Sequence, residues 1–78
     1  MRIQRYSIVM NLETVGLNLA KIRLSKNMAS SELSFQLGKN STYVHKIETA
    51  KFNVGIQTLF DICEILEINI TDLICEQK

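Results

Sequence analysis

Residues 30–48, SSELSFQLGKNSTYVHKIE, constrain the fold more than any other stretch. Leu33 and Leu37 are four residues apart, so they share one helical face. Gly38 follows at once, where a helix end needs a residue that tolerates the left-handed conformation. Asn40 then suits an N-cap, because its side-chain oxygen can accept an orphan N–H group of a following helix. Val44 and Ile47 resume the apolar spacing. The spacing predicts a helix over 30–37, a tight turn, and a second helix over 41–49.

The flanks also read as helices. Asn11 is a good N-cap, with Glu13 in the first turn where the helix dipole favours it. Leu12, Val15, Leu19 and Ile22 recur at helical spacing, with Leu24 beyond, and predict helix 1 ending near 26–27. Residues 51–55 form a connector. Ile56, Leu59, Phe60, Cys63 and Leu66 mark helix 4, and Ile62 and Ile65 widen its apolar face to most of the circumference. That is wider than one small core needs, so part of helix 4 is expected to face a partner. Asn69, with Asp72 three residues on, predicts a capped helix 5 over 70–74. The expectation is an all-α, five-helix domain over 11–78, with residues 1–10 as an N-terminal extension. That extension reads as a short strand over 6–10 or as an arm, and either Met1 or Met10 can be the translation start. Arg2 and Arg5 could touch phosphates from such an arm; a solvated end is an equal reading.

Charge separates along the chain. Residues 1–55 carry a net +5 and residues 56–78 a net −4, although the 78-residue total is only +1. A chain this short buries a modest core, so dimerisation would stabilise it. With 46% apolar and 22% charged residues, no proline and three glycines, it reads as short-turned helices rather than disorder. No apolar run approaches the roughly 18–20 residues that span a bilayer, and the basic first ten residues lack the apolar core of a secretory signal. Neither a membrane role nor export is expected. Cys63 and Cys75 are twelve apart without histidine partners, so no metal site is expected. Cys63 lies within an apolar helical pattern and reads as a buried, reduced thiol of a cytoplasmic protein.

Two short helices joined this way are the helix-turn-helix, whose second helix enters the DNA major groove. Its basic half is the half that phosphate binding requires; chance segregation in a short chain is the other reading. On a helical wheel of residues 41–49, Tyr43, Val44 and Ile47 take one side and Ser41, Thr42, His45 and Lys46 the other. The first set must face the core. The second can meet base edges or phosphates. Ser41 and Thr42 are short and discriminate weakly, while Lys46 reaches a guanine edge or a phosphate. His45 reads first as a plain exposed polar residue and second as a reader. The Tyr43 ring can pack while its hydroxyl reaches a phosphate.

The pattern resembles the Cro and phage-repressor type helix-turn-helix proteins, the XRE-like family, over residues 15–74. The matching residues are Ile22-Arg23, Glu32-Leu33, Leu37-Gly38, Tyr43-Val44, Lys46-Ile47-Glu48, Lys51, Asn53, Thr58-Leu59, Ile62-Cys63, Leu66 and Asp72-Leu73. The resemblance implies a five-helix, lambda-repressor-like DNA-binding domain with helices 2 and 3 as the helix-turn-helix, homodimeric and regulating transcription. It implies a phosphate contact at Ser30, base contacts at Ser41, Thr42 and Lys46, and phosphate contacts at Lys51 and Asn53. It implies an ion pair between Arg23 and Glu48 tying helix 1 to helix 3, and a small residue at Ser34 that lets helix 3 approach. The chain departs from the pattern at several positions. Ser30 replaces a usual glutamine, and Ser41 a frequently longer polar residue. Ala29 stands where serine or threonine normally caps helix 2, unless Ser30 caps instead. Ala50 stands where glycine is common, so a positive φ there is strained. Phe35 occupies a usually polar position; packing is the simpler reading, and a contact for the arm or another protein the other.

The leading expectation is a sequence-specific DNA-binding regulator, a repressor, with helix 3 in the major groove and Lys39, Lys46 and Lys51 neutralising phosphates. Double-stranded DNA is its partner. A homodimer would place two recognition helices about 34 Å apart. Ile65, Ile68, Ile70 and Ile74 are the candidate dimer surface, by apolar excess alone. The alternative is an interaction module that kept the fold and lost tight DNA binding. No enzyme, cofactor or small-molecule substrate is expected: His45 has no catalytic partner at useful spacing and no glycine loop cradles phosphate.

Overall fold

Asn11 starts the first helix as its residue type predicts. Its side-chain oxygen accepts the N–H groups of Glu13 at 3.0 Å and Thr14 at 3.2 Å. The structure, a computed structural model, describes residues 11–75. The extension at 1–10, with its two arginines, and residues 76–78 lie outside the described residues. Five helices follow in order: α1 Leu12–Ser25, α2 Ser30–Gln36, α3 Tyr43–Glu48, α4 Ile56–Leu66 and α5 Ile70–Ile74. Helix α1 packs on α3 and α5, α2 on α3, and α4 on α5.

One core joins all five helices. Val15 and Leu19 enter from α1, Leu33 from α2, Val44 and Ile47 from α3, Leu59, Ile62, Cys63 and Leu66 from α4, and Leu73 from α5. The helical spacing predicts most of these. Leu24 is an exception, at 62% exposed. It lies two residues past Ile22, about 200° round the helix, so it faces away from the core. Burial pushes the Cys63 thiol pKa up, with the Asp72 carboxylate adding to the shift.

The chain leaves its first four helices by one device. Each of the first four helices ends on a residue with left-handed backbone: Asn27, Gly38, Ala50 and Glu67, with φ of 57°, 76°, 56° and 59°. At each end the next N–H reaches back five residues, as Met28 to Arg23, Lys39 to Ser34, Lys51 to Lys46 and Ile68 to Cys63. Gly38 adopts this conformation without penalty. Ala50 carries the expected strain, about 1–2 kcal/mol for an L-residue. Helix α5 begins on the capping box expected of Asn69 and Asp72, with the Asn69 N–H donating to the Asp72 carboxylate at 3.1 Å.

Helix α3 is shorter than expected. Ser41 and Thr42 form a turn in which the Tyr43 N–H donates to the Asn40 carbonyl at 3.1 Å, and regular helix starts at Tyr43. Asn40 still satisfies an orphan N–H, that of Thr42 at 3.2 Å. Helix α2 has Ala29 at its N-cap and no side-chain cap; Ser30 is already helical and does not replace one.

The four isoleucines expected at a dimer surface are half-buried against the chain's own core. The exposed apolar residues of α4 are Ile56 and Phe60, 55% and 50% exposed and one turn apart.

Candidate nucleic-acid interface

Three contacts hold the back of α3. The first is Ser34, fully buried on α2. Its hydroxyl donates to the Ser30 carbonyl at 2.8 Å and accepts the Val44 N–H at 2.9 Å. Ser34 therefore does more than leave room for α3. It satisfies a backbone donor that α3, starting one residue earlier, cannot satisfy internally. Ser34→Ala is expected to lower stability by about 1–2 kcal/mol in urea unfolding, because the Val44 N–H is left buried without a partner.

The second contact is Gly16 on α1. A Cβ at Gly16 would lie 2.6 Å from the Glu48 carbonyl oxygen and 2.8 Å from that of Ile47. Only a glycine lets α1 and α3 come this close. The third is the ion pair between Arg23 and Glu48. Arg23 donates from Nε to Glu48 Oε2 at 2.6 Å, from Nη2 to Oε1 at 3.0 Å, and from Nη1 to the Met28 carbonyl at 2.6 Å. The fork geometry is bidentate, and both side chains are largely buried, at 12% and 8% exposed. The hydrogen bond to Glu48 raises the Arg23 pKa above its ordinary value, against an opposing effect of desolvation.

Held from behind, this part of the chain turns a polar face outward. Ser41, Thr42, His45 and Lys46 are all exposed, as the helical wheel predicts, while Val44 and Ile47 are buried. Tyr43 is half-buried beside them. Its ring lies 5.4 Å from that of Phe52, and the Lys39 ammonium stands 5.3 Å above the ring centre. This gathers Lys39, Tyr43 and the N-terminal end of α3. Lys51 is exposed just past α3, its N–H bonded to the Lys46 carbonyl at 2.9 Å. Asn53 is exposed on the following connector, and Ser30 is half-buried at the start of α2.

Phe35 does not pack. It is 64% exposed on α2, because Leu33 and Leu37 direct that helix and Phe35 lies between them on the opposite face. Sequence reasoning missed Gly16 and Asn18. Asn18 is 4% exposed, and its amide donates to the carbonyls of Leu73 and Cys75, both at 2.8 Å, fastening α1 to the end of α5. Gly16 left a signal: a glycine inside a strong helical pattern points to a close approach.

A cleft of about 450 Å³ between Asn18, Lys21, Ile22, Ser25, Lys26, Ile68 and Asp72 shares no residue with the α3 face. Among the described residues no three metal-ligating side chains come together, and no helix is long and apolar enough to cross a membrane.

Comparison with known proteins bears on this geometry. Restriction-modification controller protein C.AhdI from Aeromonas hydrophila is 26% identical, with a TM-score of 0.74 over 80% of this chain and 94% of that one. Restriction-modification controller protein C.Esp1396I is 33% identical, with a TM-score of 0.68 over 74% of this chain and 75% of that one. The clp gene regulator ClgR from C. glutamicum, at 22% identity, shares the fold with a TM-score of 0.74 over 80% of each chain. No curated protein matches significantly. The family model of the Cro/C1-type HTH DNA-binding domain matches residues 18–75, from the buried Asn18 to the end of α5. The chain belongs to the family of Cro/C1-type helix-turn-helix DNA-binding domains.

Proposed function

We propose that this chain is a sequence-specific transcriptional regulator, a repressor, that binds double-stranded DNA as a homodimer in the cytoplasm. Helix α3 enters the major groove. The observation that carries this reading is the exposed set Ser41, Thr42, His45 and Lys46 on a helix fixed from behind by Ser34, Gly16 and Arg23. Thr42 and Lys46 meet base edges, with Ser41 beside them. Lys39, Lys51, Asn53, Tyr43 and Ser30 meet the phosphates that set register. His45 stands on the same face as a further polar contact. The similar proteins named as controller proteins and as a gene regulator agree with a regulatory role.

The test is a titration of labelled duplex, selected from a random pool by the protein, against a scrambled duplex. Raising salt from about 50 to about 200 mM is expected to weaken binding on the order of a hundredfold, as Lys39 and Lys51 of each protomer, four phosphate-contacting lysines in a dimer, imply. Lys46→Ala is expected to lower affinity for the selected duplex about tenfold with the helical circular dichroism unchanged. Unchanged affinity in a folded Lys46→Ala protein would rule out this docking.

Exposed Phe35 supports a second reading, a protein-interaction module. It predicts no shift of either duplex at low salt and a partner whose binding is insensitive to salt.

A further inference from the structure

The hydrogen bonds at the start of α3 decide what kind of base edge Thr42 can read. Asn40 Oδ1 accepts two hydrogen bonds from Thr42, from its backbone N–H at 3.2 Å and from its hydroxyl at 3.0 Å. A backbone N–H can only donate. The Asn40 atom facing it is therefore the amide oxygen, and this fixes which way the amide points. An amide oxygen cannot donate, so the Thr42 hydroxyl must. A hydroxyl has one proton and two lone pairs. The proton is committed to Asn40, and only the lone pairs of Thr42 remain for a ligand.

We infer that Thr42 is an acceptor-only reader, selecting the exocyclic amino group of adenine or cytosine in the major groove. The inference rests on the reading of α3 as the base-contacting element. A threonine ordinarily reads either kind of edge, because its hydroxyl rotates. Here rotation toward an acceptor breaks the bond to Asn40. The major-groove donors are adenine N6 and cytosine N4; guanine N7 and O6, adenine N7 and thymine O4 only accept. Lys46 is the complement. Its ammonium has three donors and no acceptor, and it follows Thr42 by four residues on the same exposed face. Thr42 thus takes an amino edge and Lys46 a keto or ring-nitrogen edge. Two contacts of opposite polarity, one from a short side chain and one from a long one, give a thin recognition surface a defined orientation on DNA.

The experiment uses base analogues, because every base pair carries one amino donor and sequence preference alone does not identify the atom read. The strongest duplex selected from a random pool by the whole protein is the starting probe. The position whose preference Thr42→Val loses is the position that Thr42 reads. At that base pair, one duplex replaces the amino group by hydrogen, with purine for adenine or pyrimidin-2-one for cytosine. A second duplex carries a 7-deaza purine, which removes the ring acceptor. Wild type is expected to lose about three- to tenfold in affinity on amino deletion, one neutral hydrogen bond's worth. Thr42→Val is expected to lose nothing more on that duplex. Thr42→Ser, which keeps the hydroxyl, is expected to behave as wild type. Asn40→Ala returns the proton to the hydroxyl and is expected to lessen discrimination against keto bases at this position. The inference is overturned if ring-acceptor removal weakens wild type but not Thr42→Val. It is equally overturned if no position depends on Thr42, or if Asn40→Ala discriminates as wild type does. If no duplex is enriched at all, the base-contacting reading of α3 fails, and this inference with it.

Discussion

Gly16→Ala is expected to destabilise the domain by about 2 kcal/mol, against the direction that helix propensity predicts. In an unconstrained helix interior this change gains roughly 1 kcal/mol, because alanine loses less backbone entropy than glycine. At Gly16 the new methyl would meet the carbonyls of Glu48 and Ile47 at 2.6 and 2.8 Å. Those are backbone atoms at the end of α3, and no rotamer change moves them aside. The helices must part, and against backbone this close the overpacking cost lies at the upper end of the typical range, about 3 kcal/mol, which less the propensity gain leaves a net cost of about 2 kcal/mol. The consequence extends to the interface, since α3 is located partly by its approach to α1. Urea unfolding of the two proteins, with equal m-values, checks the magnitude. A Gly16→Ala protein as stable as wild type would show that α1 and α3 are farther apart than described.

The second large effect belongs to Arg23 and Glu48. Glu48→Ala is expected to cost about 3–5 kcal/mol, because it leaves a largely buried guanidinium with the Met28 carbonyl as its remaining partner among the described residues. The whole domain has on the order of 5–10 kcal/mol to lose, so this variant is expected to give up about half of its stability and to unfold at markedly lower urea. The pair itself need not be a net stabiliser. Replacing both residues by methionine is expected to recover much of the loss, since neither charge is then stranded. A double-mutant cycle of thermal and urea unfolding separates the two statements. If the double variant is as unstable as the single one, the cost lies in lost packing of the arginine stem rather than in an uncompensated charge.

The order of the helices was legible because apolar residues recur at helical spacing and Asn11, Gly38, Asn69 and Asp72 mark the boundaries by residue type. The ends of α1, α3 and α4 were less sharp. They use Asn27, Ala50 and Glu67 in a conformation that glycine signals most clearly. The start of α3 shifted from 41 to 43 because the Asn40 turn looks like a helix N-terminus in sequence and differs from one only in hydrogen-bond pattern. The outward face of α3 was legible from the wheel. What holds that face in place was only half legible. Arg23 with Glu48 came from the resemblance, and Ser34 was read as small but not as a hydrogen-bonding cap. Asn18 was hidden because its partners are backbone carbonyls more than fifty residues away. No local pattern announces such a contact.

The polar side of the 41–46 segment is the surface proposed to meet DNA. The most direct measurement is a map of backbone amide chemical shifts in isotope-labelled protein titrated with the selected duplex. The largest changes are expected from Lys39 to Lys51, centred on Thr42 and Lys46, and should collapse as salt rises. Changes centred on Phe35, Ile56 and Phe60, with Ser41, Thr42 and Lys46 unmoved, would contradict docking through α3 and place the working surface elsewhere on the domain.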